Sequence, residues 1–165
     1  MSVPIGCRRK RNCARLAVEA AIASANGTAA CNIVEASDGM ALGPGTVAVA
    51  FDRGSHVIVE PGAPPKLRCA VRDPVAGIRP CADLLLGSIA RARLPATAGL
   101  LPGSGGDGAK GLQILTQAGS KTFVANPAGD APADRFNAVT GLGVPAEQLD
   151  NGAMIEWVLG NSGSL

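Results

Sequence analysis

The sequence predicts an α/β fold of the doubly wound, Rossmann-like type, in which a mostly parallel sheet carries helices on both faces and an antiparallel hairpin region is attached. Two observations indicate this fold class. From residue 80 onward, short apolar runs alternate with helical patterns and are joined by glycine-rich loops. The chain has 165 residues, of which 47% are hydrophobic and 17% charged, so a single domain over residues 1–165 with a substantial core is expected.

The first half of the chain combines one helical pattern with several short strands. Residues 13–25, CARLAVEAAIASA, place apolar side chains at helical spacing and end at Asn26-Gly27, which stops a helix. Four short apolar runs follow, and each is predicted to be a strand: NIVEA (32–36), TVAVAF (46–51), HVIVE (56–60) and KLRCAV (66–71). Because only turn residues separate the last three, we expect them to pair as hairpins.

The second half alternates helices with buried strands. Pro80 suits the first turn of a helix, which is predicted over CADLLLGSIARAR (81–93). The remaining predicted elements are a strand at 97–101, a helix at 109–118 stopped by Gly119, a strand at 121–125, and two helices at 130–143 and 145–159. In such sheets the functional crevice lies beyond the carboxyl ends of the strands, which points to the loop at 102–108.

That loop, within LPGSGGDGAKG (101–111), has the G-x-G-x-x-G spacing of a phosphate-binding turn. Asp107 would repel a phosphate, no acid ends the strand at 121–125, and the G-K-[ST] of a Walker loop is missing. A nucleotide-binding Rossmann-like module is therefore an alternative with weak support. Another interpretation is that Asp107 caps the helix that follows it.

Composition disfavours several other functions. His56 is the only histidine, and the cysteines are dispersed without a C-x-x-C pair, so neither a metal nor a cofactor is expected. Aromatic residues make up 2% of the chain, which argues against nucleic-acid binding by base stacking. No apolar run approaches the roughly 18 residues of a membrane span. Unpaired cysteines fit a reducing cytosol, so a cytoplasmic protein without membrane insertion is expected. The basic run RRKR (8–11) fits a solvated segment or a contact with an acidic surface.

Four segments resemble the catalytic domain of the CheB-type chemoreceptor (protein-glutamate) methylesterases. EASDGMALGPGTVAVAFDRGSHV (35–57) is similar to the family's EAEDGERLEPGTVYIAPGDRHL, and IRPCADLLL (78–86) to its HRPSVDVLF. AGLLPGSGGDGAKGL (98–112) is similar to GVILTGMGxDGAAGL, and QAGSKTFVA (117–125) to QAGxxTIAQ. Order and spacing agree over more than half the chain. The part before about residue 35 diverges from the family and is shorter. It contains no acidic cluster of the kind that would indicate the family's receiver domain.

The resemblance implies a Ser-His-Asp site of which only the acid remains. Asp107 matches the triad acid, and Ser104 matches the position whose backbone amide belongs to the oxyanion hole. Arg8 occupies the family's nucleophile position, nothing matches the family's catalytic histidine, and His56 matches a different family histidine. The resemblance thus implies a degenerate methylesterase domain that binds the cytoplasmic domain of a chemoreceptor or another chemotaxis signalling protein.

Residual catalysis is the other alternative. An ester hydrolase with a rearranged site would use His56 as base and Ser104 as nucleophile, with Ser55 and Cys7 as further candidates. Ser55 and His56 are neighbours on a predicted strand, so their side chains would point to opposite faces. In a further alternative, a longer natural chain supplies the missing segment.

Overall fold

The computed structural model describes residues 31–51 and 54–162. Within these residues the strands are β1 (Asn32–Glu35), β2 (Thr46–Val49), β3 (His56–Glu60), β4 (Lys66–Ala70), β5 (Thr97–Leu100), β6 (Lys121–Ala125) and β7 (Glu147–Leu149). The helices are α1 (Ala82–Arg91), α2 (Ala109–Gln117), α3 (Asp134–Gly141) and α4 (Asn151–Ser162). The helix predicted at 13–25 and the basic run at 8–11 lie outside the described residues, as do Cys7 and Arg8.

Helices cover both faces of a parallel sheet of order β5-β6-β7. Phe123 and Val124 are neighbours in β6 and point to opposite faces. Val124 is buried with Leu112 of α2, whereas the ring of Phe123 meets Trp157 of α4 edge to face, with ring centroids 5.0 Å apart. A Cβ at Gly99 would lie 2.1 Å from the Phe123 ring, so only glycine lets the ring lie across β5. The predicted α/β class is confirmed.

The predicted hairpin between the second and third strands is wrong, whereas the β3–β4 hairpin is confirmed. β2 instead pairs in parallel with β1, starting with Asn32 opposite Thr46. The backbone N–H of Val59, in β3, donates to Ser88 Oγ of α1 at 2.8 Å. At the β4 side, Leu67 exchanges backbone hydrogen bonds with the turn that follows β1, through Gly39 N–H and Met40 O. These contacts with α1 and the turn occupy backbone groups that a third hairpin strand would need.

The helix predicted over 145–159 is also partly wrong, because its first residues form β7. This three-residue strand adds to the free side of β6 in parallel, with Phe123 opposite Glu147. Asp150 then starts α4, since its Oδ1 accepts the Ala153 N–H at 2.8 Å as an N-cap side chain does. α4 therefore begins after Asp150, whereas the predicted helix over 145–159 included that residue.

Two apolar clusters form the described core. One joins α1, α2 and α3 to β5 and β6, and its most buried members are Leu112, Leu115, Val124 and Val139. The other lies under the β3–β4 hairpin and contains Val57, Val59 and Leu67. Ile89 of α1 packs against both, so α1 connects the hairpin to the parallel sheet.

None of the helices in the described part of the chain has the length and apolar character needed to cross a membrane.

Candidate functional site at the amino end of helix α1

The glycine loop places Asp107 between β5 and α2, as the sequence predicts. β5 ends at Leu100, and the first helical residue of α2 is Ala109. The residue that precedes the helix is Gly108, whose φ of 97° is left-handed, and it provides no capping side chain. A Cβ at Gly108 would come within 2.7 Å of Leu100 Cδ2, so this turn requires glycine for both its conformation and its space.

Asp107 does not cap its own helix, which corrects one interpretation of the sequence. Its carboxylate faces the amino end of α1 and accepts hydrogen bonds from Ala82 N–H (2.9 Å, Oδ2), Asp83 N–H (3.3 Å, Oδ1) and the Cys81 thiol (3.0 Å, Oδ1). Cys81, the residue before the helix, makes no capping bond to α1. Asp107 therefore supplies from a distant loop the acceptors and the negative charge that a helix amino end needs.

The relation is reciprocal, because Asp83 of α1 caps α2. Asp83 Oδ1 accepts the backbone N–H of Gly111 in the first turn of α2 at 2.7 Å. The two helices approach closely here, since a Cβ at Gly111 would lie 2.8 Å from Asp83 Cα and 2.9 Å from Leu86 Cβ. We call α1 and α2, with Asp83 and Asp107, the cross-capped pair. The acid that caps α2 belongs to α1, and the acid that caps α1 lies in the loop just before α2.

His56 reaches the same helix end from β3. The side chain is fully buried, its Nδ1 lies 3.2 Å from Cys81 N and accepts that N–H, and its Nε2 lies 3.0 Å from the Asp73 carbonyl oxygen. A carbonyl only accepts, so Nε2 carries the proton and donates it, which defines the neutral Nε2–H tautomer. Both ring nitrogens are thus used by main-chain groups. His56 fastens β3 to the amino end of α1 and to the loop at Asp73.

Cys81 lies at the centre of this arrangement as a buried thiol. Burial raises its pKa above the ordinary value, and the hydrogen bond that the thiol donates to Asp107 raises the pKa further. The neutral thiol is therefore the favoured form. Ligand atoms of Cys81, Asp83 and Asp107 lie within 4.8 Å of one another. In the described structure these carboxylates accept N–H groups of the helix ends, through both oxygens of Asp107 and through Oδ1 of Asp83.

The structure does not bring Ser104 to His56. Ser104 is exposed on the loop after β5, whereas His56 is 0% exposed and makes both of its ring hydrogen bonds elsewhere. Ser55 is buried next to His56 in sequence. The two other positions discussed for a nucleophile, Cys7 and Arg8, lie outside the described residues.

The glycine loop is also fastened to the start of α3. Gly103 donates its N–H to Pro132 O at 3.1 Å and accepts the Arg135 N–H at 3.3 Å, while Gly105 donates to Asp134 Oδ2 at 3.0 Å. The Arg135 side chain lies over Gly103, where a Cβ would be 3.0 Å from Nη1 and 3.1 Å from Cζ. These contacts fix the loop at the carboxyl edge of the sheet.

Arg135 is a residue that sequence reasoning missed. Its Nε is buried and has no hydrogen-bond partner among the residues that the structure describes, an arrangement that ordinarily costs about 1–3 kcal/mol. In the sequence Arg135 is one charged residue within a predicted helix, where a solvent-facing side chain is the ordinary expectation. Only the contact between α3 and the glycine loop, which is distant in sequence, gives it a special environment.

Comparison with known proteins agrees with this architecture. A family model described as CheB methylesterase matches residues 18–153 of the chain. The chain belongs to the CheB methylesterase family. The CheB methylesterase catalytic domain of Thermotoga maritima superposes with a TM-score of 0.72 over 81% of this chain and 71% of that one, at 21% sequence identity. That likeness concerns the fold.

Curated relatives of this CheB-family chain carry methylesterase names. It is 42% identical over 92 residues to protein-glutamate methylesterase/protein-glutamine glutaminase 1 of Caulobacter vibrioides, covering 55% of this chain and 27% of that protein. It is 30% identical over 134 residues to protein-glutamate methylesterase FrzG of Myxococcus xanthus, covering 78% of this chain and 39% of that protein. The chain therefore spans well under half the length of both relatives.

Proposed function

We propose that this CheB-family chain binds the cytoplasmic domain of a chemoreceptor, or another chemotaxis signalling protein, and does not itself hydrolyse glutamyl methyl esters. The observation that carries the proposal is the use of His56. A Ser-His-Asp mechanism needs a histidine with one nitrogen free to take the serine proton. The chain has one histidine, and the backbone N–H of Cys81 already occupies its only unprotonated nitrogen.

The environment of Asp107 supports the same proposal. A carboxylate offers about four acceptor positions. Asp107 receives donors from Cys81, Ala82 and Asp83, none of which is a histidine. Its role in the described structure is to complete the amino end of α1. The residue that the resemblance matches to the family's triad acid thus accepts donors at a helix end, which supports the proposal that it orients no base.

An ester-hydrolysis assay tests the absence of turnover. The purified chain is incubated with a methylated receptor fragment, and methanol release is followed beside a full-length active methylesterase of the family. We expect a trace that matches buffer. Release that disappears with Ser104→Ala, in a variant that keeps its circular dichroism spectrum, would show that a rearranged site works.

A second variant separates a catalytic His56 from a structural one. In His56→Asn the amide oxygen can replace Nδ1 as the acceptor of the Cys81 N–H, but it cannot act as a base near neutral pH. Methanol release by the parent chain that His56→Asn abolishes at unchanged fold would contradict the proposal. Binding is measured separately, by surface plasmon resonance of the chain over immobilised receptor fragment. Absence of binding to any chemotaxis partner would contradict the binding half.

A further inference from the structure

An open groove runs between α1 and α2 on the side turned away from the parallel sheet. The two helices lie side by side, close together at Asp83 and Gly111, and Ala90 and Ala118 line the groove towards their carboxyl ends. The groove encloses about 470 Å³, and a Cβ placed on Gly87 at its wall would meet nothing within 4 Å. Its apolar lining consists of Leu84, Gly87, Ala90, Ile114 and Ala118.

The carboxyl end of this groove is basic. Arg91 lines the groove itself, and the cavity that adjoins it at this end adds Arg93 and Lys121. All three side chains are exposed, and none forms an ion pair within the parts of the chain that the structure describes. Asp83, the acid among the groove's lining residues, lies at the amino end, where it caps α2. The groove therefore fits an apolar segment that carries negative charge at one end.

The exposed face of α4 has the matching chemistry. This helix has one charged side chain among its twelve residues, that of Glu156. Ile155 keeps 60% of its surface exposed. A surface helix ordinarily turns polar side chains to solvent, so a mainly apolar exposed face is typical of a helix that packs against a partner. The residues described as exposed on this face are Gly152, Ala153, Ile155, Glu156 and Gly160.

The distribution of charge along the chain favours the pairing of these two surfaces. Residues 66–121 carry eight cationic and three acidic side chains, whereas residues 122–162 carry five acidic side chains and one cationic one. Within one molecule the two surfaces cannot meet, because α2 and α4 cover opposite faces of the sheet. We infer that the groove between α1 and α2 receives α4 of a second copy of this chain, with Ile155 against the apolar lining and Glu156 towards Arg91. This inference goes beyond the proposed function.

The contact would join two different surfaces, so it does not use up both surfaces of either copy. Each pair keeps a free groove at one end and a free α4 at the other, and association continues beyond a dimer as the concentration rises. Because one helix in one groove makes a small interface, the dissociation constant should be micromolar or weaker. Electrostatic attraction across the contact should make the association weaker at high salt.

Sedimentation equilibrium of the full chain, from micromolar to submillimolar concentration at low salt, tests the contact. The average mass of the parent chain should rise beyond that of a dimer. Ile114→Asp disables the groove and Ile155→Asp disables α4, so each variant alone should be monomeric. An equimolar mixture of the two should form a dimer that does not grow, because only one groove and one α4 remain functional. Both side chains are exposed, and circular dichroism verifies the fold.

Charge variants test the contact without altering its apolar part. Arg91→Glu and Glu156→Arg should each weaken association about fivefold or more, and a chain with both changes should regain it. Arg91 also lies in the last turn of α1, where a cation offsets the partial negative charge of the helix end. If that were its entire role, Arg91→Glu would lower Tm and leave association unchanged. Val71→Asp, at a residue 84% exposed outside both surfaces, is the matched control and should associate like the parent chain.

The outcomes that overturn this inference are distinct from those that contradict the proposed function. A parent chain that stays monomeric throughout, a mixture of Ile114→Asp and Ile155→Asp that forms no dimer, or a parent dimer that Ile155→Asp leaves intact would each overturn it. A monomeric parent chain whose binding to the receptor fragment is lost in Ile114→Asp would assign the groove to a partner helix instead. Methanol release and binding to the receptor fragment are measured separately and decide the proposed function.

Discussion

Replacing Asp107 by asparagine tests the cross-capped pair because an amide keeps the shape of the carboxylate and only one of its acceptor oxygens. Both oxygens of Asp107 are in use, Oδ2 by Ala82 N–H at 2.9 Å and Oδ1 by Asp83 N–H at 3.3 Å and the Cys81 thiol. In Asp107→Asn the NH₂ group must face a donor. The negative charge at the amino end of α1 is lost as well.

The magnitude follows from these two losses. Charge at a partly buried helix end contributes up to about 2 kcal/mol, and a charge-assisted hydrogen bond about 1.5–3 kcal/mol. Since the bond that is lost outright is the long one to Asp83, we expect Asp107→Asn to lower the free energy of unfolding by about 2 kcal/mol. For a chain of this size that corresponds to a fall in Tm of about 4–8 °C.

Asp83→Asn is the matched control. Asp83 uses a single oxygen to accept one N–H, that of Gly111, and an asparagine oxygen can replace it. Its cost should stay below about 1 kcal/mol, the usual effect of one charge at a helix amino end. Both variants are measured by urea unfolding followed by circular dichroism. A loss for Asp107→Asn no larger than that for Asp83→Asn would refute the account of the cross-capped pair.

Three further predictions concern packing, the buried thiol and nucleotides. Gly111→Ala should lower stability by about 1–3 kcal/mol in urea unfolding because its Cβ would overlap α1, whereas Gly87→Ala, with nothing within 4 Å, should raise stability by about 0.5–1 kcal/mol. Cys81, whose pKa is raised by burial, should resist alkylation in the folded chain more than the half-buried Cys69, as measured by site-resolved mass spectrometry. The raised pKa of Cys81 should also make the free energy of unfolding decrease as pH rises through the ordinary thiol range, because the unfolded chain loses that proton first. Calorimetric titration with NAD, NADP or ATP should give no measurable heat of binding, and micromolar affinity would contradict the interpretation of the glycine loop.

The elements that the sequence predicted well are those whose signals are local. Alternation and β-branched residues located β3, apolar spacing after Pro80 located α1, and Gly119 marked the end of α2. Each depends on residues within a few positions of one another. The position of Asp107 between a buried strand and a helix was predictable for the same reason.

The errors arise where a partner distant in sequence decides the outcome. β7 consists of Glu147, Gln148 and Leu149, which have no strand pattern and become a strand by pairing with β6. The direction in which Asp107 faces depends on α1, which lies 24 to 26 residues earlier. The unpartnered nitrogen of Arg135 depends on the loop at Gly103. No periodicity in the sequence encodes such contacts.

The cross-capped pair has a consequence for how this part of the chain opens. Neither helix can lose its partner without exposing its own first-turn amides, since the Ala82 and Asp83 N–H groups depend on Asp107 and the Gly111 N–H depends on Asp83. Local fraying of one helix therefore releases the other, and hydrogen exchange at these three amides should proceed through one shared opening of residues 81–117 rather than through independent fluctuations. If so, residues 81–117 would behave as one folding unit, held together by the two acids at its helix ends.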